Sequence, residues 1–428
     1  MNCQKESPLI FNLFPRHFRY IDQWIEIIPH VKEMAFNAVF VNPFHETGFS
    51  GSLYAVKDYY RLNPFFLKSG KDPSDFTPLK DFVKKCKENK LELIMDLVIN
   101  HTAVDSDLSK KHPQWYQWEN GRLKNPFAID PGDASKVTIW GDLAMMDNEH
   151  SSDRDNLWKY WDDLIAFYQN MGIYGFRCDA AYQVPASLWS FLISSAKKRF
   201  PQSLFYAETL GCQLWQIEAL KGVGFDYLFN SSKWWNYDQP WAIEQHSANK
   251  HIAPSIGFPE SHDTERLASN NPGTVEVQKG RYAFAAIFSK GILMPMGYEY
   301  GASTRIDVVK GSPSDVDKPR WDISSWIKSM NNLKMRTPVL SEEGNWRALS
   351  SYNMPFIFLE KSSDCGNKSV YVCINKRLSE ETIVETWMIP PDIKRCTKTI
   401  QLMSGNMQES SIPQAFSLDP ADIILFMQ

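Results

Sequence analysis

Through the first 300 residues the apolar positions fall in short runs, each followed by a polar cluster and then by an amphipathic stretch. The runs Leu9–Phe14, Ala38–Val41, Leu91–Leu97, Gly175–Cys178, Leu204–Ala207, Phe225–Phe229, Ser255–Phe258 and Ile292–Met296 are flanked by Gly, Pro, Asn or Asp, which predicts strands rather than helices. The stretches Pro78–Asn89, Asn156–Met171, Pro185–Arg199 and Val275–Ser289 carry helical spacing. Eight strands alternating with helices predict an α/β fold, a (β/α)8 TIM barrel. The interval after the third strand is the longest, and Thr102–Ser152 reads as a short inserted domain; Asn42–Lys71 is a second long loop. Both would lie on the C-terminal face, where barrel enzymes carry their chemistry. After about Asn345 the pattern changes to alternating short runs at Phe356–Leu359, Ser369–Ile374, Thr382–Met388, Thr399–Leu402 and Ala421–Met427. These predict a C-terminal antiparallel β-sandwich. The expected division is barrel over 1–101 and 153–344, insertion over 102–152, and β-domain over 345–428.

Composition narrows the function. With 46 Lys+Arg against 50 Asp+Glu, the 428-residue chain offers no electrostatic reason to expect nucleic acid or a membrane surface as partner. An aromatic share of 14%, with 15 Trp, suits stacking against flat-faced ligands, sugars among them. The seven cysteines (Cys3, Cys86, Cys178, Cys212, Cys365, Cys373 and Cys396) are odd in number and form no C-x-x-C pair, so a disulfide framework or zinc site is not expected. The start of the sequence has no secretory pattern, and no apolar run is long enough to cross a bilayer; a cytoplasmic protein is expected. Oligomeric state leaves no trace in the sequence.

The ionisable residues gather at strand ends: Asp96 to Asn100 and His101 after the third, Arg177 and Asp179 at the fourth, Glu208 at the fifth, His262 and Asp263 at the seventh. Strand periodicity puts Arg177 and Asp179 on one side and Cys178 on the other. A neighbouring guanidinium favours the ionised form of Asp179, whereas Glu208, preceded by Leu-Phe-Tyr-Ala, is placed for desolvation to raise its pKa. A retaining glycosidase needs such a pair, a carboxylate nucleophile and a protonated acid about 5–5.5 Å apart, and a third carboxylate and imidazoles can grip the sugar ring. One carboxylate ending one strand is most often a helix cap; four clusters over one barrel mouth point to catalysis. A metal-dependent hydrolase using His101 and His262 is the competing chemistry, weakened by the single His in each cluster and by Arg177 beside Asp179.

The blocks Asp96–His101, Gly175–Asp179, Glu208 and His262–Asp263 resemble, in order and spacing, the four signature regions of the α-amylase family of glycoside hydrolases. Tyr54-Ala-Val-Lys-Asp58-Tyr59, with Asn63-Pro64, resembles that family's Tyr-x-x-x-Asp-Tyr loop. The resemblance implies Asp179 as nucleophile, Glu208 as acid/base and Asp263 as transition-state stabiliser. It implies Tyr54, Asp96, His101, Arg177 and His262 around the reacting glucose, with Tyr54 as stacking platform, and an α-glucan or maltooligosaccharide as substrate. The expected enzyme is thus a retaining glycosidase on α-glucosidic bonds; transfer to a sugar acceptor through the same intermediate is the alternative, and a silent glucan-binding barrel a further one. Where the family continues after the nucleophile with Lys-His, contacting substrate and calcium, this chain has Tyr182 and Gln183. Asn100 matches the family's calcium-binding asparagine, and Asp130, Asp133, Asp142 and Asp147 read as solvated loop acids, so no cofactor is expected, with calcium at Asn100 the open exception. His112-Pro-Gln-Trp115, Asn125-Pro126 and Phe205-Tyr-Ala-Glu208 are similar to bacterial maltosyltransferases of this family, but Phe127-Ala-Ile-Asp130 replaces the lysine–tyrosine run that serves the phosphate there. Trp234, Trp235, Asn236 and Tyr237 are candidates for acceptor subsites, and Trp115, Tyr116 and Trp118 for the opposite wall.

Overall fold

A computed structural model describes residues 6–130, 132–270, 273–404, 407, 409–410 and 415–427; Cys3 lies outside them. Eight parallel strands, β1 (Leu9–Leu13), β2 (Ala38–Val41), β3 (Glu92–Leu97), β4 (Gly175–Cys178), β5 (Leu204–Glu208), β6 (Tyr227–Phe229), β7 (Ile256–Gly257) and β8 (Gly291–Pro295), pair in the order β6-β5-β4-β3-β2-β1-β8-β7. A parallel bridge between Leu228 and Ser255 joins β6 to the start of β7 and closes the ring. The interior is filled by inward side chains such as Ile10, Phe40, Ile94, Tyr206, Tyr227 and Leu293, so the barrel is a packed core and its ligand space lies above the strand ends.

Helices α1 (Ile28–Glu33), α2 (Thr77–Glu88), α3 (Arg154–Met171), α4 (Ala186–Arg199), α5 (Leu214–Glu218), α6 (Trp241–Asn249), α7 (Val275–Phe288) and α8 (Ser324–Arg336) follow the strands in turn. Helix α3 buries Leu157, Trp161, Leu164, Ile165 and Tyr168, the 3–4 spacing that presents one stripe to the barrel, and stops at Gly172 in the left-handed region. Strand β7 is shorter than its apolar run because Pro254 and Pro259 flank it. Gly257 brings α7 directly onto it: a Cβ there would lie 2.6 Å from the Ala285 carbonyl oxygen. Strand β6 starts two residues later than expected, at Tyr227.

The insertion after β3 begins with His101–Ala103 paired antiparallel to Leu143–Met145, and it carries the hairpin of Phe127–Asp130 with Asp133–Ile139. Beyond α8, the strands β9 (Asn345–Ala348), β10 (Phe356–Ser362), β11 (Ser369–Asn375), β12 (Thr382–Val384), β13 (Lys398–Gln401), β14 (Glu409–Ser410), β15 (Phe416–Leu418) and β16 (Ile423–Met427) form a β-sandwich. Its larger sheet runs β9-β10-β11-β16-β13-β14 and its smaller pairs β12 with β15. Alternate residues explain why these strands are apolar throughout. Phe356, Phe358, Tyr371, Cys373, Ile424 and Phe426 face the small sheet, while Ile357, Leu359, Val370, Val372 and Leu425 join the core shared with the barrel. The run expected over Thr382–Met388 divides: the strand ends at Val384 and Thr386–Met388 is a 3-10 turn that exposes Trp387. Among the described residues no helix is long and apolar enough to cross a membrane, and Cys86, Cys178, Cys212, Cys365, Cys373 and Cys396 are unpaired.

Candidate active site

Parallel pairing sets Arg177 of β4 beside Asp96 of β3, and both point into the barrel mouth. Arg177 Nη1 donates to both oxygens of Asp96 (2.7 and 2.8 Å) and to Asp179 Oδ1 (3.1 Å), while Nη2 stands 3.8 Å from Asp263 Oδ2. One buried guanidinium therefore serves three carboxylates. Burial pushes Asp96 up to about 6, with Arg177 and His262 acting against the rise. Cys178 faces away into the shell between strands and helices.

The pairing of Cys178 with Ala207 puts Asp179 level with Glu208 at the end of the neighbouring strand. Glu208 is held from both ends: the Ala180 N–H donates to Oε2 (2.9 Å) and the Leu210 N–H to Oε1 (2.7 Å). Ala180 reaches that position in the left-handed region, φ 42° and ψ 46°, a conformation that strains a residue with a Cβ. Burial raises the Glu208 carboxyl to about 8; Asp179 and Asp263 push the same way, and Arg177 opposes them. Burial also works to raise Asp263, but His262, Arg177 and Arg305 outweigh it and hold that carboxyl at about 2. Asp263 is 44% exposed to the cleft, the most open of the three. One carboxyl kept protonated near neutral pH beside a carboxylate kept ionised is the arrangement by which two like groups acquire different acid–base roles.

A polar chain supports this cluster from the side. The Tyr54 hydroxyl donates to Asp96 Oδ2 (2.7 Å) and lies 2.6 Å from His262 Nε2, which is 3.0 Å from Asp263 Oδ2. The Tyr54 and His262 rings are stacked, 7° from parallel with centroids 5.7 Å apart. Asn42 Nδ2 donates to the Tyr54 oxygen (3.1 Å), and Asn12 Nδ2 to Asn42 Oδ1 (2.8 Å). Asn12 and Asn42 are completely buried and were not among the residues singled out in the sequence. The signal was present: Asn12 interrupts an apolar run, and Asn42 directly follows one. His101 is buried, and neither ring nitrogen has a well-formed hydrogen bond; burial lowers its pKa against the pull of Asp179 and so favours the neutral ring.

Asn100 is tied through its amide nitrogen to a neighbouring side chain. Its Nδ2 donates to Gln183 Oε1 (2.9 Å), and Gln183 Nε2 donates to the Phe127 carbonyl (3.2 Å), so the side-chain amides of Asn100 and Gln183 join the end of β3 to the inserted hairpin. Asp130 accepts from the backbone of Gly132 and Asp133, Asp133 from Ser135, and Asp147 from the backbone of His150. A hard cation takes six to eight oxygens, and among the described residues no group of three or more His, Cys, Asp or Glu converges to hold a metal.

Several aromatic candidates belong to the core instead. Trp235 is buried in the core, whereas Tyr237, buried edge-on against Phe284, still lines the same cavity as Trp234 and Asn236. Trp234 and Asn236 turn outward and line a cavity of about 670 Å³ that starts at Asp263 and reaches Lys376 and Leu378 of the β-domain. Trp115 and Tyr116 are likewise buried, Trp115 donating to Asp153 (2.9 Å), whereas Trp118 is exposed. Glu260, two residues before His262, is sequestered by Arg266 at 2.7 Å.

Residues 4–123 match the family profile described as "Glycogen debranching enzyme, glucanotransferase domain". An alpha-1,4-glucan:maltose-1-phosphate maltosyltransferase of Burkholderia pseudomallei is 24% identical over 377 residues, covering 84% of this chain and 32% of that protein. Alpha-amylase 2 of Dictyoglomus thermophilum is 23% identical, covering 83% of this chain and 63% of its own. The chain thus spans between about a third and two thirds of the length of these curated relatives. Among solved structures, an alpha-amylase from Lactobacillus plantarum superposes with a TM-score of 0.76 at 18% identity, covering 99% of both chains, which shows a shared fold. With the barrel, the β-sandwich and the four strand-end clusters together in one structure, the chain is similar in sequence to α-glucan-active enzymes of the α-amylase family and shares the fold of solved alpha-amylases.

Proposed function

We propose that the protein is a retaining glycoside hydrolase acting on α-glucosidic bonds of α-glucans or maltooligosaccharides. The observation that carries the reading is the division of labour at one mouth: Glu208 buried and raised to about 8, level with Asp179, which accepts from Arg177. Asp179 attacks the anomeric carbon while Glu208 gives its proton to the departing glycosidic oxygen. Glu208, now ionised, then takes a proton from water, whose oxygen displaces Asp179 and restores both groups. Asp263, ionised and beside the centre, stabilises the positive charge that develops on the sugar. Tyr54 offers the ring face, and His101, His262, Arg177 and Asp96 hold the hydroxyls. Asp179→Asn tests the assignment: it should abolish release of reducing sugar from maltoheptaose and glycogen while leaving thermal unfolding within a few degrees of wild type.

Transfer of the glycosyl group to a sugar acceptor is the second reading. It is favoured by the similarity to a maltosyltransferase and by the cavity beside Asp263, which has room for an acceptor. Chromatography of products from maltoheptaose distinguishes the two: longer oligosaccharides mean transfer, glucose and maltose alone mean hydrolysis. We further propose that the enzyme works without calcium, since the Asn100–Gln183–Phe127 bridge joins the segments directly.

A further inference from the structure

The cavity beside Asp263 carries two cations that make no direct ion pair among the described residues, although Glu260 and Glu265 act on Lys233 from farther off. Two other cations in its wall face acids: Arg305 is 3.0 Å from Glu265 and Lys376 is 3.9 Å from Asp238. Lys233 and Arg281, both half-buried, have no carboxylate within 4.0 Å among the described residues. Neutral groups fix them in place, Lys233 Nζ donating to the Glu265 carbonyl (3.1 Å) and Arg281 Nη2 to the carbonyl of Lys233 itself (2.8 Å). Burial lowers the pKa of Lys233; Glu260 and Glu265 act against the drop, and Arg281 adds to it. Other buried cations here are satisfied differently. Arg177 and Arg266 pair with carboxylates, and Lys334 donates to three backbone carbonyls. Lys233 and Arg281 instead each make one hydrogen bond to a backbone carbonyl in the cavity wall, and a planar guanidinium beside an ammonium matches the oxygens of a phosphate dianion.

The cavity is too large for a lone phosphate. Its volume of about 670 Å³ is that of a site for a small organic ligand, and the half-exposed indole of Trp234 lines it with a flat apolar face suited to a sugar ring. We propose that this cavity binds a phosphorylated sugar, its phosphate monoester held between Lys233 and Arg281 and its ring lying against Trp234, on the Asp263 side of the cleft. The identification of the ligand as a sugar rests on the glycosidase reading above; the charge argument does not.

Calorimetric titration of the full-length Asp179→Asn protein, which removes turnover, is the test. The probes are maltose 1-phosphate, glucose 6-phosphate, maltose, glucose and inorganic phosphate. At least one phosphorylated sugar should bind ten-fold or more tightly than both its neutral counterpart and inorganic phosphate. Lys233→Gln and Arg281→Gln should each reduce that preference at least five-fold without changing the affinity for maltose, and Lys233→Arg, which keeps the charge, should retain it. Equal affinity for phosphorylated and neutral sugars overturns the proposal, as does a preference that survives both charge-removing substitutions. Inorganic phosphate binding as tightly as either ester overturns the sugar part. Wild-type protein inert on neutral α-glucans, with the phosphate preference intact, would remove the glycosidase reading and leave this site standing.

Discussion

Replacing Glu208 by Gln should change stability in a pH-dependent way that reports the proton on which the mechanism depends. In the folded chain the carboxyl ionises near 8, against an ordinary value of 4.5. Between those limits the folded state keeps a proton that the unfolded state releases, so wild-type stability falls as pH rises, by about 1.36 kcal/mol per unit. The full window would cost the wild type about 4.8 kcal/mol, and the part reached by pH 7 about 3.4 kcal/mol, each an upper bound. Glutamine does not titrate and escapes this loss. It brings a different one: the Ala180 and Leu210 N–H groups both point at the side chain, and an amide nitrogen must face one of them, a mismatch of about 1–3 kcal/mol at every pH. The variant should therefore be the less stable protein near pH 5 and the more stable one by pH 8, crossing near pH 6. Urea unfolding followed by tryptophan fluorescence at pH 5, 6, 7 and 8 measures the difference. A flat difference across that range would mean that Glu208 ionises normally, and the general-acid assignment would fall with it.

Arg177→Ala should destabilise the barrel by about 3–5 kcal/mol, because it leaves Asp96 and Asp179 without their shared cation; thermal unfolding reads this directly, and a loss below 1 kcal/mol would contradict the hub geometry. Tyr54→Phe keeps the ring but removes the hydroxyl between Asp96 and His262, so kcat/KM should drop about ten-fold, as for one lost hydrogen bond to a charged group, with the fold intact by circular dichroism. The acid limb of Glu208 predicts that kcat/KM falls above pH about 8; a rate still rising at pH 9 would refute it. Dialysis against EDTA should leave activity unchanged, and recovery on adding calcium would show that the amide bridge is not the whole link at Asn100.

The barrel was legible because its strands are short and apolar with chemistry at their ends, and parallel strands buried on both faces need no alternation to be recognised. Arg177 and Asp179 could be paired from strand period alone. The proton of Glu208 was legible in direction only: its apolar approach is in the sequence, but the strained turn at Ala180 that aims an N–H at it is not. Loop aromatics misled, since Trp234 and Trp235 are chemically identical and only the turn decides which one meets solvent. Lys233 and Arg281 were invisible as a pair, being 48 positions apart on different elements.

The way the sandwich is attached has a consequence for engineering. Lys334 donates to the carbonyls of Ala286, Ser289 and Leu340, and Lys361 to those of Ile287 and Phe288, so two dry lysine side chains cap the end of α7, with the indole of Trp346 stacked on Phe288. The second of these lysines comes from β10. Cutting the chain after α8 would keep Lys334 but uncover the carbonyls of Ile287 and Phe288 in a helix that is otherwise almost entirely enclosed. The β-domain is thus not a detachable module: swapping or trimming it would first have to supply another way of finishing the seventh helix of the barrel.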